Sequence, residues 1–249
     1  MALGFLKLFR KDRQRRRRLD YYADGLGLRG KSLAAIEEPG FRKAFDTAVE
    51  LNREGWGGKV PDIRWRAHTA VWAARHGLAL EGDFVECGVY LGLLSLTIAH
   101  SLDFARVPKR FWLFDTWDGL AEGALTDQEK QRSDQAGWIY RGVYELAARN
   151  FAPFPNVTLV RGTLPQSLEG QPIGKIAYLS MDLNSAAPEE AVIRTLWDRI
   201  TPGGVVLLDD YGWTGFDDQR RMWDGFAAGR GVPILSLPTG QGLILKPPA

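Results

Sequence analysis

Asp209 and Asp210 end the apolar run Gly204-Val205-Val206-Leu207-Leu208, and Asp182 ends the preceding one, Ile176-Ala177-Tyr178-Leu179-Ser180-Met181. Adjacent buried carboxylates are costly unless a cation or a proton offsets their repulsion. Three such groups at the ends of neighbouring strands have the donor chemistry of a hard divalent-ion site, with Asp182, Asp209 and Asp210 as ligands. In an open parallel sheet the same edge is where ligands bind.

Two further strand ends carry acids. The first, Glu86-Cys87-Gly88-Val89-Tyr90-Leu91-Gly92, has two glycines four apart, which let backbone approach a ligand closely. An acid two residues before the first glycine suits an ammonium group. The second, Phe114-Asp115-Thr116-Trp117-Asp118-Gly119, offers a carboxylate to ribose hydroxyls. Glu86, Asp115 and Asp182 together suggest an adenosine-bearing ligand with an amino group, which fits S-adenosylmethionine. The structural alternative is that Asp115 caps a turn, and that Asp209 and Asp210 cap the following turn or pair with Arg220 or Arg221. The phosphate loop G-x-G-x-x-G is absent, which counts against a dinucleotide enzyme.

Positioning these groups requires alternating strands and helices. Strands are predicted at Asp83–Cys87, Arg110–Asp115, Val157–Arg161 and Ile176–Asp182, with a fifth beginning at Gly204 after a turn at Thr201–Gly203. Helices are predicted at Leu93–Leu102, Trp138–Phe151, from Pro188 through Ile200, and at Asp217–Ala228. Glu189 and Glu190 would face the positive end of their helix dipole. Pro233–Leu237 and Gly242–Lys246 flank Pro238-Thr239-Gly240-Gln241 as a closing hairpin. The expected fold is α/β: a mostly parallel, seven-stranded, Rossmann-like sheet with helices on both faces. Residues 82–249 form this domain and 21–81 a helical cap. Within the cap, Trp65, Thr69 and Trp72 recur at helical spacing between Pro61-Asp62 and Gly77. The polar segment 121–137 reads as a long loop, a candidate lid.

The 249-residue chain has a net charge of +2, unevenly spread. Residues 1–18 hold eight basic side chains against Asp12, a local charge of +7 that leaves the remainder near −5. Residues 1–20 are therefore expected to be a basic, solvated arm, with weak contact to an anionic membrane surface as the sharper alternative. The mildly acidic remainder argues against a nucleic-acid partner. No run is long and apolar enough to span a bilayer, and the charges follow the short apolar run of Met1–Leu6, unlike a secretory signal. Cys87 is the only cysteine, so no internal disulfide forms and a reducing, cytoplasmic setting is expected. His68, His76 and His100 lack zinc-site spacing. Cys87 reads as a small buried residue, and His76 and His100 as surface groups.

The glycine loop, the Phe114–Leu120 segment, Pro202-Gly203-Gly204 with Asp209-Asp210-Tyr211-Gly212, and Pro238-Thr239-Gly240-Gln241-Gly242 resemble, in order, the macrocin O-methyltransferase family. The resemblance runs from about Gly82 to Lys246. It implies a class I S-adenosylmethionine-dependent O-methyltransferase using a divalent ion, usually magnesium. Metal ligands would fall on Asp182, Asp209 and Asp210, and the general base again on Asp182. Donor contacts would fall on Glu86, Gly88, Tyr90, Gly92, Asp115 and Thr116, with Gly162 on the adenine side. A homodimer is a further implication. The chain departs from the family pattern at Gly92-Leu93-Leu94, where many members have Gly-Gly-Ser, and at Asp182-Leu183-Asn184, where Asp-Leu-Tyr is common.

Such a site favours an acceptor with two neighbouring oxygens, a sugar diol or a catechol. Tyr211 and His68 are lesser candidates for the base, and Trp117, Trp138 or Trp213 for stacking on the acceptor. Rival readings are a nicotinamide-dependent oxidoreductase and a non-catalytic module working through its arm. Deleting residues 1–18 separates the last from the enzyme: solution turnover should persist in the truncated protein, and its loss would favour the binding module.

Overall fold

The computed structural model describes residues 19–120, 125–127, 129–131 and 141–248. Nearly all of the basic arm, most of the predicted 121–137 loop and Trp138 lie outside these residues. The described chain begins with a feature absent from the sequence-based expectation, a hairpin of β1 (Tyr21–Ala23) and β2 (Leu26–Leu28). Its turn is Asp24-Gly25, with φ of 50° and 73°. Asp-Gly suits a two-residue turn because both positions need positive φ.

Three helices follow: α1 (Ala34–Glu37), α2 (Pro39–Asn52) and α3 (Arg64–Gly77). Pro39 opens α2, and the Glu38 carboxylate caps it by accepting from the amides of Gly40 (2.9 Å) and Phe41 (2.7 Å). In α3 the buried face is not the tryptophan stripe. Ala67, Ala70, Val71, Ala73, Ala74 and Gly77 are buried, whereas Trp72 is 50% exposed. Small residues let α3 lie close to the sheet, and that proximity determines where Arg66 can reach.

The main sheet comprises β3 (Asp83–Cys87), β4 (Phe111–Asp115), β5 (Val157–Arg161), β6 (Ile176–Met181), β7 (Ile200–Leu208), β8 (Leu235–Ser236) and β9 (Gly242–Leu245). Their order is β5-β4-β3-β6-β7-β9-β8, seven strands as expected. All neighbours are parallel except β7–β9 and β8–β9, so the closing hairpin supplies the antiparallel edge. Thr201–Gly203, expected to be a turn, is instead part of β7, whose register with β6 shifts between Ile176 and Tyr178. Helices α4 (Leu93–Ser101), α5 (Tyr144–Phe151), α6 (Ala186–Leu196) and α7 (Asp217–Arg230) complete the described elements. Helix α6 starts two residues before Pro188, which sits in its first turn.

Strand alternation divides the core. Phe84, Phe111, Tyr178, Val205 and Leu207 pack towards the first cap helices and α4, while Val85, Cys87, Leu179, Met181 and Leu208 pack against α6 and α7. Cys87 is fully buried, as expected of a small core residue. His100 is half-buried against the Phe154 ring, 5.1 Å between centroids, rather than a surface group. No helix among the described residues is long and apolar enough to cross a membrane.

Register puts the acids in one row. Cys87 pairs with Met181 and Met181 with Leu208, so the next residues, Gly88, Asp182 and Asp209, stand side by side at the carboxyl edge. The ladder continues there: the Asp182 amide donates to the Cys87 carbonyl (2.8 Å) and the Asp209 amide to the Met181 carbonyl (3.0 Å). On the other side Gly88 donates to the Phe114 carbonyl (2.8 Å), and Gly162 to the Asp115 carbonyl (2.9 Å). At Gly88, φ is 86°, and an added Cβ would stand 1.9 Å from the Asp182 carbonyl oxygen. Gly88→Ala should therefore cost more than roughly 2 kcal/mol. Gly170→Ala, where nothing lies within 4 Å, should cost about 1 kcal/mol. Urea unfolding of the two variants measures the difference; equal losses would contradict the close approach.

Candidate active site

The carboxyl edge of β3, β4, β6 and β7 opens onto a cavity of about 260 Å³. Glu86, Gly88, Tyr90, Asp115, Thr116, Gly162, Asp182, Asp209 and Asp210 all line it. Gly92 does not. Its φ is 81°, and an added Cβ would strike the Phe151 ring at 2.3 Å, so glycine there serves packing of α4 against α5.

Glu86 is 3% exposed, and its Oε2 has no hydrogen-bond partner among the described residues. Burial pushes its carboxyl up to about 8, against a smaller opposing pull from Ser95. A buried carboxyl on a cavity wall is ready to ionise when a cationic group arrives.

Asp115 organises the loop. Its Oδ2 accepts from the amides of Val89 (2.7 Å) and Tyr90 (2.8 Å), and its Oδ1 from the Trp117 amide (2.7 Å). The Thr116 hydroxyl makes a fourth, longer bond to Oδ1 (3.5 Å), the weakest of the set and the one that a ligand hydroxyl can replace. The loop is strained around it, with φ of 52° at Tyr90 and 51° at Trp117. Trp117 is fully buried and donates from Nε1 to the Tyr90 carbonyl (2.7 Å), so its ring is structural and not a stacking platform. The Tyr90 hydroxyl donates to the Gly55 carbonyl (2.7 Å), tying the loop to the cap.

Ligand atoms of Asp182, Asp209 and Asp210 lie within 4.8 Å of one another. Burial, then the charges of Asp209 and Asp210, hold the Asp182 carboxyl well above the usual range. Asn184, with φ of 57°, turns back so that its Nδ2 donates to Asp182 Oδ1 (3.0 Å). Asp209 accepts from Gln241 Nε2 at Oδ1 (2.9 Å) and from Arg66 Nη1 at Oδ2 (2.6 Å). The convergent, all-oxygen donor set and the repulsion within it fit a hard divalent cation.

Arg66 and Gln241 did not emerge as site residues from the sequence. Gln241 belongs to the Pro-Thr-Gly-Gln-Gly motif, which was a signal. Arg66 carried none, since it lies in the cap far from any motif. Neither Arg220 nor Arg221 serves Asp209: Arg220 lies over the Tyr211 ring and Arg221 pairs with Asp218. Tyr211 and His68 are also elsewhere. The Tyr211 hydroxyl donates to Asp224 Oδ1 (2.6 Å), and His68 packs edge-on against Phe41 and Trp65.

Glu189 lies in the first turn of α6, as expected, and is buried there. It is 2% exposed and accepts from the Leu183 amide (3.1 Å), Gln219 Nε2 (2.9 Å) and Trp223 Nε1 (2.7 Å). It thereby fixes the turn that presents Asp182. Burial raises it to about 7.

A doubly wound sheet with acids at its switch point and a closing antiparallel hairpin is the fold of the class I S-adenosylmethionine-dependent methyltransferases. The sequence matches the macrocin-O-methyltransferase (TylF) family over residues 69–234, more than half of the chain, and the protein belongs to that family. It is 29% identical over 143 residues to the 8-demethyl-8-(2,3-dimethoxy-alpha-L-rhamnosyl)-tetracenomycin-C 4'-O-methyltransferase of Streptomyces olivaceus, covering 52% of this chain and 53% of that one, about half of the relative's length. It is 24% identical over 194 residues to the demethyldecarbamoylnovobiocin O-methyltransferase of Streptomyces niveus, covering 70% and 74%. The solved structure of the O-methyltransferase NovP superposes with a TM-score of 0.65 at 19% identity, covering 80% of this chain and 88% of that one.

Glu86 allows a test by pH. Its folded-state proton is held to about pH 8, whereas the unfolded group loses it near the ordinary 4.5. The favourable contribution is thus complete below about 4.5 and lost as pH rises to 8, a difference on the order of a few kcal/mol. Glu86→Gln should gain stability over the parent progressively through that window in urea unfolding. Parallel pH profiles would mean that Glu86 is not desolvated.

Proposed function

We propose that the protein is a divalent-metal-dependent O-methyltransferase that moves a methyl group from S-adenosylmethionine to a hydroxyl of a sugar or other acceptor with neighbouring oxygens. The observation that carries this reading is a single cavity lined by Glu86, Asp115, Asp182, Asp209 and Asp210. The names of the relatives support the acceptor class, since one acts on a rhamnosyl-bearing tetracenomycin and the other on a novobiocin precursor.

In this reading Glu86 ionises to receive the donor's ammonium. A ribose hydroxyl takes the Asp115 acceptor position that the Thr116 hydroxyl reaches at 3.5 Å. Gly88 and Tyr90 bring backbone alongside the donor, and Gly162 leaves room on the adenine side. Asp182, Asp209 and Asp210 would hold magnesium, which when bound polarises the acceptor hydroxyl and lowers its pKa. Asp182 takes the hydroxyl proton, its crowding by two carboxylates favouring the protonated form. Gln241 and Arg66 keep Asp209 oriented. Alignment of the acceptor oxygen with the methyl group and sulfur supplies much of the acceleration, about 7–11 kcal/mol in well-oriented systems. Residues 21–81 act as the cap over this site. A reducing, cytoplasmic location agrees with the buried Cys87 thiol. A homodimer and a surface contact of the arm are the expected accessory properties.

Asp209→Asn and Asp210→Asn should each lower kcat/KM at least about a hundredfold with sugar diol acceptors. Equilibrium binding of labelled S-adenosylmethionine should stay within a few-fold of the parent. Undiminished turnover in excess chelator would remove the metal from the mechanism.

A further inference from the structure

The cation facing the acidic cluster comes from the cap and is itself held by a second acid. Arg66 Nε and Nη2 donate to the two carboxylate oxygens of Asp24, at 2.7 and 3.0 Å, while Nη1 donates to Asp209 Oδ2 at 2.6 Å. Both side chains are largely buried, 17% exposed for Arg66 and 16% for Asp24. The guanidinium lies over the Trp213 ring, 5.4 Å to the centroid, and the same ring sits beside the hairpin turn, 3.7 Å from where a Gly25 Cβ would be. Asp24 is in the left-handed region at the tip of the β1–β2 hairpin, so its carboxylate is presented by the turn itself.

Two consequences follow from charge and geometry. A guanidinium beside a divalent ion repels it, and the repulsion is strong where water is excluded. A bidentate carboxylate cancels most of that charge and occupies the N–H groups that could otherwise rotate onto Asp182 or Asp210. On the reading that the three aspartates hold a divalent ion, we infer that Asp24 and Arg66 are positioning residues that set how tightly the ion is held, with seating of the β1–β2 hairpin linked to ion occupancy. With Asp24 in place, Arg66 engages the cluster only through Asp209 Oδ2, while its Nε and Nη2 are held on Asp24. With Asp24 withdrawn, the same arginine becomes a rival cation. Linkage is reciprocal, so ion binding must favour the seated hairpin by the same factor.

The test is calorimetric titration of Mg2+ into the full chain without substrate, for the parent, Asp24→Asn, and the double variant Arg66→Met/Asp24→Asn. Asp24→Asn should weaken Mg2+ about tenfold. The double variant, which removes both charges, should return to within about threefold of the parent, an outcome that a merely structural role for Asp24 does not produce. In the parent protein, hydrogen exchange of the amides of residues 20–28 should slow several-fold on adding Mg2+, a measurement that decides the matter even if Asp24→Asn does not fold. If the parent binds Mg2+ while Asp24→Asn binds it equally well, or the hairpin exchanges at the same rate with and without the ion, the linkage is wrong and the metal site stands. If the parent takes up no Mg2+, both fall.

Discussion

Repulsion among the carboxylates crowded onto the carboxyl edge of the sheet is the constraint around which the rest of this molecule is arranged. Parallel register makes the crowding unavoidable, because Asp182 and Asp209 are the next residues after a matched pair, Met181 and Leu208. The protein answers with several devices. Arg66 supplies positive charge from the cap, Gln241 supplies a neutral donor from the closing hairpin, and Asn184 turns back on Asp182. Burial and the neighbouring charges of Asp209 and Asp210 raise the carboxyl of Asp182 well above its usual range. Three separate regions of the chain therefore meet at one part of the sheet edge.

Two of the three buried glutamates among the described residues differ in how their oxygens are satisfied. Glu189 is as inaccessible as Glu86, yet both of its oxygens accept hydrogen bonds, from Leu183, Gln219 and Trp223. It is a structural clamp, since a fully satisfied buried acid stabilises one arrangement of the turn that follows β6. Glu86 has an oxygen without a partner on a cavity wall. Leaving a buried acceptor unsatisfied costs stability. Asp115 lies between these extremes, spending most of its acceptor capacity on the amides of Val89, Tyr90 and Trp117. Its first task is to hold a strained loop in shape, and contact with a ligand is what its remaining capacity allows.

Strand alternation, the acids ending each strand and the glycine loop were legible in the sequence because each depends on neighbours along the chain. The short, mostly apolar runs at residues 83–87, 111–115 and 176–181 are local signals, and so is the coupling of an acid to a strand end. The closing hairpin and the family motifs are equally local signals. What failed locally did so for identifiable reasons. The Trp65–Trp72 spacing marked the helix α3 correctly but not its buried face, which is carried by alanines that allow close approach to the sheet. The Asp24-Gly25 hairpin was lost inside a segment read as wholly helical. Thr201–Gly203 has turn composition, yet it continues β7 through the register irregularity with β6, Gly203 donating to the Lys246 carbonyl just past β9.

By itself, then, the sequence determined the α/β class, the order of strands and the identity of the carboxylates at their ends, since all three follow from periodicity and short-range chemistry. Only the tertiary structure decided that Arg66 compensates Asp209 across 143 residues of chain, that Asp24 holds Arg66, and that Gly92 packs against Phe151 outside the cavity. Those choices depend on how closely a helix or a hairpin lies against the sheet. Such distances are set by the volumes of side chains meeting from distant segments, and no pattern within a single segment encodes them.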